Sequence, residues 1–377
     1  MADAAGRRTE DVPVRSLLAV NRGSSSVKFG LFTFEPEPQA LSRGTVEVTE
    51  GSDVLDLLRS RVAGDVSRHP LAGVAHRLVH GGPTLVDPQV VDGDLIERLR
   101  RIVYLAPNHL PDEIDLIEKF SALEPSLPQV VCFDTAFHAR LPEVARRLPV
   151  SDEYAIAGVR RYGFHGLSYT YLAGELQRRA GAALERVVLA HLGHGSSLAA
   201  VRGAQSIDTT MGYTPIGGIV MSTRSGDLDP GVVTHIARLK GLDADQLEDE
   251  LSHRAGLAAI AGGLTDMREL LAREENDPAC RLAVEIYCYE IRKRIGAYAA
   301  ALGGLDALVF SGGIGEHAHQ VRARICKDLA FIGVEVDEAA NAANAPVVSS
   351  HASHVAVHVI PTDEEVVMAR AACRLLH

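Results

Sequence analysis

The feature that most constrains the fold is an internal similarity between two segments of the chain. Residues 21–32 (NRGSSSVKFGLF) and residues 191–203 (HLGHGSSLAAVRG) each read as a strand, a turn rich in glycine and serine, and a second strand. Such a turn exposes backbone N–H groups and hydroxyls at its tip, and these groups bind phosphate oxygens. Either segment alone is most simply an ordinary hairpin. As a pair, they predict two lobes of related design whose turns hold a chain of phosphates across a cleft.

Short apolar runs recur along the chain and predict further strands. Each run is rich in Val, Ile, Leu or Phe and is bounded by Gly, Pro or Asp, which is the pattern of a buried strand. The runs are LLAV, VKFGLF, VAHRLVH, QVVCF, RVVLAHL, ALVF and VAVHVI.

Helical patterns lie between these strands. Residues 168–180 place Leu172 and Leu176 four apart and stop at Gly181, which is typical of a helix end. A second helix begins at Pro278. Its apolar residues at helical spacing are Leu282, Ile286 and Tyr289. Because strands alternate with helices from end to end, the sequence predicts an α/β protein.

Composition and charge exclude several classes of protein. A chain of 377 residues is longer than one typical domain, and 46% hydrophobic with 23% charged residues excludes disorder or a fibrous repeat. The net charge of −11 argues against nucleic acid or an anionic membrane as partner. Only four apolar residues, 17–20, precede Asn21, which is too few for a signal peptide, and no later run is long enough for a membrane span. We therefore expect a cytoplasmic protein.

Neither the cysteines nor the histidines predict a zinc site. The five cysteines are an odd number without a CxxC pair, so we expect buried free thiols rather than disulfides or thiolate ligands. His76 and His80 lie four apart on a strand, where that spacing does not bring two ligands together, and structural roles are expected for both. Three further histidines, His351, His354 and His358, lie close together in the sequence. No nearby Cys or carboxylate would complete a tetrahedral zinc site with them.

Two segments of the second half carry further signals. Residues 306–322 (DALVFSGGIGEHAHQVR) run from a strand through a glycine-rich turn into a helix, an arrangement at which nucleotides commonly bind. Near the C-terminus, Thr362 and Glu365 have the spacing of a capping box, in which the glutamate binds the backbone of the cap. Glu364, beside this box, remains available for another role.

Nine segments, in chain order, resemble the successive motifs of the acetokinase family; they are NRGSSSVKF, HRLVHGG, FDTAFH, RYGFHG, HLGHGSS, DTTMGYTPIGG, TRSGDLDP, GGIGEH and PTDEE. The resemblance implies two ribonuclease-H-like lobes, as in the acetate and sugar kinase, heat-shock protein and actin superfamily, with a cleft between them. Residues 1–163 and 362–377 would form the first lobe and residues 164–361 the second, which would also form most of a homodimer interface. The implied reaction is reversible, in-line transfer of the terminal phosphoryl group of ATP to acetate, with Mg²⁺ or Mn²⁺.

Phosphoryl transfer to a carboxylate needs positive charge, donors aimed at the transferring group and exclusion of water. Arg77 and Val79 share one face of a predicted strand, which puts a cation beside an apolar wall. By resemblance, Arg77 binds the acid, and Arg224 and His165 contact the phosphoryl group. Asp134, which follows a strand, is implied to be an active-site carboxylate. Its alternative role is to cap the segment that follows it.

The resemblance also implies the residues that bind each reactant. The acid would contact Arg77, Val79, Asn108, Phe164 and Pro215. The nucleotide would contact Lys28, His191, Leu192, Gly193, His194, Gly195, Asp266, Met267, Arg268, Gly313, Ile314, Gly315, Glu316 and His317. The metal ion would bind Asn21 and Glu364.

Several positions depart from the family pattern. His194 and His317 stand where the family has asparagine, so we expect similar use of ATP and GTP and a donor affinity that changes between about pH 6 and 8. Asn108 stands where the family has a leucine of the acid pocket, which predicts a poor KM for acetate. Gly217 and Asp363 depart as well.

Three alternatives to ATP-dependent acetate phosphorylation stay open. The acceptor could be another short carboxylate such as propionate, and the donor could be pyrophosphate. In a different class, the chain could be a non-catalytic, actin-like regulator that binds a nucleotide. Such a regulator would be expected to lack a catalytic arginine or histidine, whereas this chain keeps Arg77, His165 and Arg224.

Overall fold

The computed structural model describes residues 14–23, 26–49, 53–180 and 184–377. Two parts of the predicted pattern lie outside these residues. They are Ser24 and Ser25, at the tip of the first glycine and serine turn, and Gly181, the predicted helix end.

The first sheet has six strands, β1 (Ser16–Arg22), β2 (Ser26–Thr33), β3 (Ala40–Glu47), β4 (Leu71–Leu78), β5 (Gln89–Val90) and β6 (Gln129–Phe133). Their order across the sheet is β3-β2-β1-β4-β6-β5. β1 pairs antiparallel with β2 and parallel with β4, and β2 pairs antiparallel with β3. Helices precede β4 and β6 in the chain, whereas β5 follows β4 without a helix and pairs antiparallel with β6 at the edge of the sheet.

The second sheet has five strands, β7 (Arg186–Leu192), β8 (Ser196–Arg202), β9 (Gln205–Thr209), β10 (Ala307–Ser311) and β11 (Ala356–Val359). Their order is β11-β10-β7-β8-β9. β7, β8 and β9 form an antiparallel meander, and β10 pairs parallel with both β7 and β11.

The helices are α1 (Val54–Arg68), α2 (Gly93–Arg101), α3 (Leu110–Leu123), α4 (Glu143–Arg146), α5 (Asp152–Ile156), α6 (Gly166–Ala180), α7 (Pro230–Lys240), α8 (Ala244–His253), α9 (Gly256–Ile260), α10 (Met267–Arg273), α11 (Pro278–Leu302), α12 (Gly312–His317), α13 (His319–Cys326), α14 (Glu338–Ala342) and α15 (Glu364–Leu376). Aspartates start several of them. The side chains of Asp53, Asp229 and Asp277 accept backbone N–H bonds at the first turns of α1, α7 and α11, which satisfies donors that a helix start leaves without partners.

The second sheet is buried on both faces. Along β7, Val188 and Ala190 pack in one apolar cluster with α11, whereas Val187 and Leu189 pack in another with α6. Successive side chains of a strand point to opposite faces, so a strand covered on both sides needs an apolar residue at almost every position. This is why RVVLAHL and ALVF are continuous apolar runs instead of alternating ones.

The contacts among the described residues divide the chain into two units. The first contains the chain up to Val79, Asp87–Cys132 and Glu365–His377, and the second contains His80–Val86 and Phe133–Glu364. The first sheet and the second sheet form their respective centres.

This division differs from the expected one for residues 80–86, 133–163 and 362–364, which belong by their contacts to the second unit. The segment 133–163 is the longest of the three, and its side chains explain why it belongs there. His138 is fully enclosed, and its Nδ1 and Nε2 lie 2.7 Å from Ser206 Oγ and 3.1 Å from the Phe164 carbonyl oxygen. Sequence patterns place strands and helices but do not reveal such bonds between distant segments.

The seven apolar runs are present as β1, β2, β4, β6, β7, β10 and β11, and β8 is the second strand of the hairpin predicted at residues 191–203. The pattern did not predict β3, β5 and β9. In β3, seven of the eight residues are exposed or half-buried and Val46 alone is buried, so this edge strand lacks the apolar run by which strands are recognised.

The helix predicted from Pro278 is present as α11, but its predicted apolar face is wrong. Leu282 and Tyr289 are 50% and 57% exposed. The buried face instead contains Ala283, Val284, Tyr287 and Ile291. Ile286 is the one of the three predicted residues that packs against this core, as a partly buried side chain. Apolar residues occur all around α11, so helical spacing alone did not identify the buried side.

All five cysteines are free and buried, as predicted. In the described part of the chain, no helix has both the length and the apolar composition to cross a bilayer.

Candidate active site

Asp134 fixes the start of α6. Its side chain is enclosed, and its carboxylate accepts hydrogen bonds from the backbone N–H groups of His165 (3.2 Å) and Leu167 (3.4 Å). Its backbone carbonyl accepts a third, from the Gly166 N–H (2.8 Å). Asp134 therefore binds the first turn of a helix far along the chain, not the segment directly after it as the alternative role required.

The backbone of His165 adopts a conformation that side chains rarely allow. Its φ is 61°, in the left-handed region, which costs a residue with a Cβ about 1–2 kcal/mol. A Cβ on the next residue, Gly166, would lie 2.3 Å from the Asp134 carbonyl oxygen, so only glycine fits there. The bonds from Asp134 hold this strained turn, and the turn determines where the His165 ring points.

The His165 ring and the Arg224 guanidinium converge on one point of the second hairpin. A Cβ placed on Gly195 would lie 3.3 Å from His165 Nε2 and 3.4 Å from Arg224 Nη1. His165 Nδ1 lies 2.9 Å from Ser197 Oγ, and the ring stacks on His191 with 4.4 Å between centroids. A histidine ring nitrogen and a permanent positive charge thus face the same small space at the hairpin tip.

The hairpin tip itself is locked by side chains. The Gly193 N–H donates to the Gly195 carbonyl (3.0 Å), and Ser196 Oγ donates to the Gly193 carbonyl (3.0 Å). Ser196 Oγ also lies 2.8 Å from the Tyr287 hydroxyl, and both residues are fully buried. The predicted hairpin at residues 191–203 is confirmed as β7 and β8 with this closed turn.

Arg224 is half-buried and donates from Nη1 to the Pro215 carbonyl oxygen (3.2 Å). His194 is exposed, but partial burial of its ring and the nearby charge of Arg224 lower its pKa. The pH range expected for this residue, centred on an ordinary histidine, is therefore too high. His194 is neutral over most of the range from pH 6 to 8, because a lowered pKa means that the proton is lost at lower pH.

The first hairpin is confirmed as β1 and β2, in which Asn21 pairs with Lys28 and the Gly23 N–H donates to the Ser26 carbonyl (2.8 Å). Lys28 is exposed and Asn21 is half-buried.

Arg77 and Val79 share an unexpected partner, Glu113. The Glu113 carboxylate is 3% exposed; it accepts the Val79 N–H (3.0 Å) and lies 3.7 Å from Arg77 Nη1. Glu113 stands in the first turn of α3, where an acidic residue is ordinary. The sequence therefore gave no signal that this carboxylate is buried at the end of β4.

The remaining acid-binding positions differ in exposure. Phe164 is 2% exposed, and its ring meets His80 edge to face. Asn108 is exposed, whereas Leu110, two residues later, is fully buried at the start of α3. The amide of Asn108 is therefore not a buried polar group in need of a partner, which removes part of the reason for expecting a poor acetate KM.

Two of the predicted nucleotide residues, Leu192 and Met267, bury their side chains in the core of the second unit, at 0% and 3% exposure. Only the backbone groups of these two are available to a ligand. Ile314 packs against the same cluster but is half-buried. Near Met267, Arg268 is 89% exposed and forms an ion pair with Asp266 (2.5 Å).

Glu316 folds back onto the start of its own helix. Its Oε1 accepts the Gly312 N–H (2.9 Å) and the Thr362 N–H (3.2 Å). The predicted capping box at Thr362 is therefore wrong, since its N–H is bound by Glu316. The side chain of His317, next in the chain, is 76% exposed, and Gly313 has open space where a Cβ would stand.

Sequence patterns missed an arginine that holds this helix. Arg322 is fully buried and donates to the carbonyl oxygens of Gly315 (2.8 Å) and Glu316 (3.0 Å), and to Asn341 and Asn344. With neutral acceptors only among these bonds, burial lowers the pKa of Arg322 to about 10. No sequence signal distinguishes it from the surface arginines around it.

His76 and His80 are both enclosed, and burial lowers the pKa of each to about 4. His76 Nε2 lies 2.8 Å from Gln129 Oε1, and His80 Nδ1 accepts the Gly82 N–H (2.8 Å). Within the described ranges, no group of three or more His, Cys, Asp or Glu side chains is arranged to hold a metal ion.

Comparisons with known proteins identify the family. The model of the acetokinase family matches residues 53–370. An acetate kinase of Rhodopseudomonas palustris is 43% identical over 95% of this chain and 98% of its own length. The structure of Porphyromonas gingivalis acetate kinase matches with a TM-score of 0.86 and 32% identity over 96% of this chain and 100% of that one. A propionate kinase from Francisella tularensis matches with a TM-score of 0.88 and 32% identity over 95% and 98%.

These matches confirm the two-lobed fold that the motifs implied, and they extend over the segments that carry Asp134, His165 and Arg224. They do not support the non-catalytic regulator, because kinases are what the chain resembles over nearly its whole length. The chain belongs to the acetokinase family and is a carboxylate kinase.

Proposed function

We propose that this kinase transfers the terminal phosphoryl group of ATP to acetate, reversibly, to give acetyl phosphate and ADP. The observation that carries the proposal is the convergence of His165 Nε2 and Arg224 Nη1 on the hairpin tip at Gly195. A donor and a cation at one point suit a phosphoryl group, whose equatorial oxygens carry negative charge in the transition state. The named relative from Rhodopseudomonas palustris supports acetate as the acid.

The transfer is a direct in-line displacement. A carboxylate oxygen forms a bond to the γ-phosphorus while the bond from that phosphorus to the bridging oxygen of ADP breaks, and ADP leaves with the electron pair. The acid is already ionised near neutral pH, so no proton has to be removed from it. His165 would donate to a phosphoryl oxygen, and Arg224 would balance its charge. Asp134 would keep the His165 turn in place through the two N–H bonds that it accepts.

The acid would bind at the predicted acid-binding residues, of which Arg77 and Val79 stand at the end of β4. Arg77 would pair with its carboxylate, while Val79 and Phe164 would line its methyl group, together with Asn108 and Pro215. Glu113 supports this role for Arg77, because a carboxylate 3.7 Å away restrains the guanidinium without forming a close pair with it.

The nucleotide would contact the second unit at β7, α10 and α12. The open space at Gly313 and the exposed guanidinium of Arg268 support these positions. Mg²⁺ or Mn²⁺ would bind Asn21 and Glu364, which offer the oxygen ligands that such hard cations prefer. When bound, the metal offsets the charge of the phosphates, and the protein residues position the reacting groups.

The protein would be a cytoplasmic homodimer, and the exposed apolar residues of α7 support the dimer. In this helix no residue is buried, and Val232 and Leu239 are 45% and 74% exposed. An apolar helix face left in water is typical of a protein interface. Light scattering should give a dimer for the wild type and a monomer for Leu239→Asp, while Leu282→Asp, also an exposed leucine, should stay dimeric.

A coupled hydroxamate assay tests the reaction. Hydroxylamine traps the acyl phosphate, so acetate, ATP and Mg²⁺ together should give acetohydroxamate, and chelation of the metal should abolish it. Replacing acetate by propionate, and ATP by GTP or pyrophosphate, compares the open alternatives directly. A higher kcat/KM for propionate than for acetate would make propionate the preferred acid. Activity with pyrophosphate but with neither nucleotide would show that the residues assigned to the nucleotide do not bind one. No hydroxamate with any acid and donor would overturn the proposal.

A further inference from the structure

Two buried hydroxyls lie in line behind the His165 ring. His165 Nδ1 is 2.9 Å from Ser197 Oγ, and Ser197 Oγ is 2.5 Å from the Tyr169 hydroxyl. Ser197 belongs to β8 and Tyr169 to α6, and both are 0% exposed. Burial raises the pKa of Tyr169, so its phenol keeps its proton at every pH at which the enzyme works. The three groups form one hydrogen-bonded chain that solvent does not reach at Ser197 or Tyr169.

The number of protons in this chain favours one direction for its bonds. A hydroxyl has one proton to donate, and a neutral imidazole has one N–H and one acceptor nitrogen. If Tyr169 donates to Ser197 and Ser197 donates to His165 Nδ1, each hydroxyl proton has an acceptor. If the bonds run the other way, from Nδ1–H to Ser197 and from Ser197 to Tyr169, the phenol proton needs a further acceptor.

Among the described residues, the side-chain hydrogen bond of the Tyr169 hydroxyl is the one with Ser197 Oγ, 2.5 Å away, and no second acceptor lies beside it. A buried donor without an acceptor is costly. The direction from Tyr169 to Ser197 to His165 avoids this cost.

We infer that Tyr169 and Ser197 act as positioning residues that fix the tautomer of His165, so that Nε2 carries the ring proton. The inference rests on the proposed role of His165 as a donor to the phosphoryl group. Nε2 is the nitrogen that faces the hairpin tip, and it lies 3.3 Å from the point that a Cβ added to Gly195 would occupy. In the other tautomer Nε2 would present a lone pair to the phosphoryl oxygens and would repel them.

The same unit contains a second pair of this kind, which serves as a reference. His138 Nδ1 lies 2.7 Å from the buried Ser206 Oγ, and its Nε2 lies 3.1 Å from the Phe164 carbonyl oxygen. A carbonyl only accepts, so Nε2 of His138 carries the proton and Ser206 donates to Nδ1. The geometry at His165 repeats this arrangement, with the hairpin tip in the place of the carbonyl.

Nitrogen-15 spectra of the histidine-labelled enzyme test the tautomer without turnover. The resonances of His165 are assigned by their absence in His165→Asn. In the wild type, the proton should be found on Nε2 and the Nδ1 shift should be that of an unprotonated nitrogen. In Ser197→Ala, a substantial fraction of Nδ1–H should appear. Ser206→Ala, which removes a buried serine from a different histidine, should leave the His165 spectrum unchanged.

Kinetics provide the second readout. Ser197→Ala should lower kcat about 10- to 100-fold, in the range lost when one preorganised donor is removed, while both KM values stay within about twofold. Because the imidazolium has N–H groups on both nitrogens, kcat of this variant should rise as pH falls toward the histidine pKa, relative to the wild type. Tyr169→Phe should have a smaller effect of the same kind, since Ser197 can still donate.

The outcomes separate this inference from the proposed function. A wild-type enzyme that makes hydroxamate but carries its His165 proton on Nδ1 would overturn the relay and leave the reaction intact. A Ser197→Ala enzyme with the wild-type tautomer and the wild-type pH profile would also overturn it, even with lower activity. If Ser197→Ala fails to fold, Ser197→Cys decides by the same spectrum, since a thiol fills the same site but is only a weak donor to Nδ1.

Discussion

The two sheets share a strand order but surround their hairpins with different chemistry. In the first unit the order β3-β2-β1-β4-β6 repeats that of β9-β8-β7-β10-β11 in the second. At the end of β7, the hairpin is closed by Ser196 and Tyr287 and faced by His165 and Arg224. At the end of β4 in the first unit, an arginine and a buried glutamate meet instead. In the shared order β4 corresponds to β10 and not to β7, so the two groups of side chains stand beside different strands of the same pattern. The strand order is repeated, but the polar side chains that come from distant segments are not.

The largest expected effect is the loss of kcat/KM when either of two arginines, Arg224 or Arg77, is replaced. Arg224→Ala and Arg77→Ala should each lower kcat/KM by at least about 100-fold, because each removes a preorganised charge partner of a reactant. Their stabilities should differ. Arg224 bonds to a carbonyl, whereas Arg77 lies beside the buried Glu113 carboxylate, whose charge loses compensation when Arg77 is removed.

Thermal melting measures this difference. Arg77→Ala should melt at least about 3 °C below Arg224→Ala, and the double variant with Glu113→Gln should recover most of that loss without recovering activity. Near-native turnover in either single variant would show that the arginine serves the fold alone.

The second prediction tests the space at the hairpin tip. Gly195→Ala should lower kcat/KM by about 10- to 100-fold, because its methyl group would occupy the point where His165 Nε2 and Arg224 Nη1 converge. The φ of Gly195 is not in the left-handed region, so the backbone accepts alanine. The control is Gly174→Ala on α6, where a Cβ meets nothing within 4 Å. It should keep full activity and gain about 0.5–1 kcal/mol of stability. Equal activity of the two variants would contradict the placement of the phosphoryl group.

A smaller effect is expected at Asn108. Asn108→Leu should lower the KM for acetate by no more than about tenfold. One apolar contact is worth about 1–3 kcal/mol, and the exposure of Asn108 favours the low end of this range, where about 1.4 kcal/mol is tenfold. Steady-state kinetics with acetate and with a hydroxylated acid measure the change. An acetate KM that is unchanged or higher would mean that Asn108 points away from the acid.

The smallest effect concerns the pH dependence of ATP binding. The pKa of His194 is lowered, so its ring is neutral above the ordinary histidine pKa of about 6.5 and gains a proton only below it. The KM for ATP should therefore be constant from pH 7 to 8 and fall a few-fold at lower pH, as a positive ring meets the triphosphate. His194→Asn should remove this dependence. A midpoint at or above pH 6.5 that disappears in His194→Asn would contradict the lowered pKa.

Sequence patterns predicted the elements with strong apolar periodicity and missed what depends on distant contacts. The strands of both sheets were found except β3, β5 and β9, whose residues are mostly polar or few. The α11 helix was found with the wrong buried face, since Leu282 is exposed while Tyr287 is buried. In the site, the motifs pointed to His165 and Arg224, but the roles of Glu113 and Arg322 followed only from the folded chain.

By itself the sequence determined the α/β class, the duplicated hairpins and the family, because local periodicity and contiguous motifs are properties of neighbouring residues. Only the tertiary structure decided that Asp134 holds His165 in a left-handed turn and that Ser197 and Tyr169 line up behind its ring. These groups come from β6, β8 and α6, and sequence spacing says nothing about atoms that approach within 3 Å after folding. Hydrogen-bond direction and burial, which set the chemistry of the site, exist only once the strands and helices have packed.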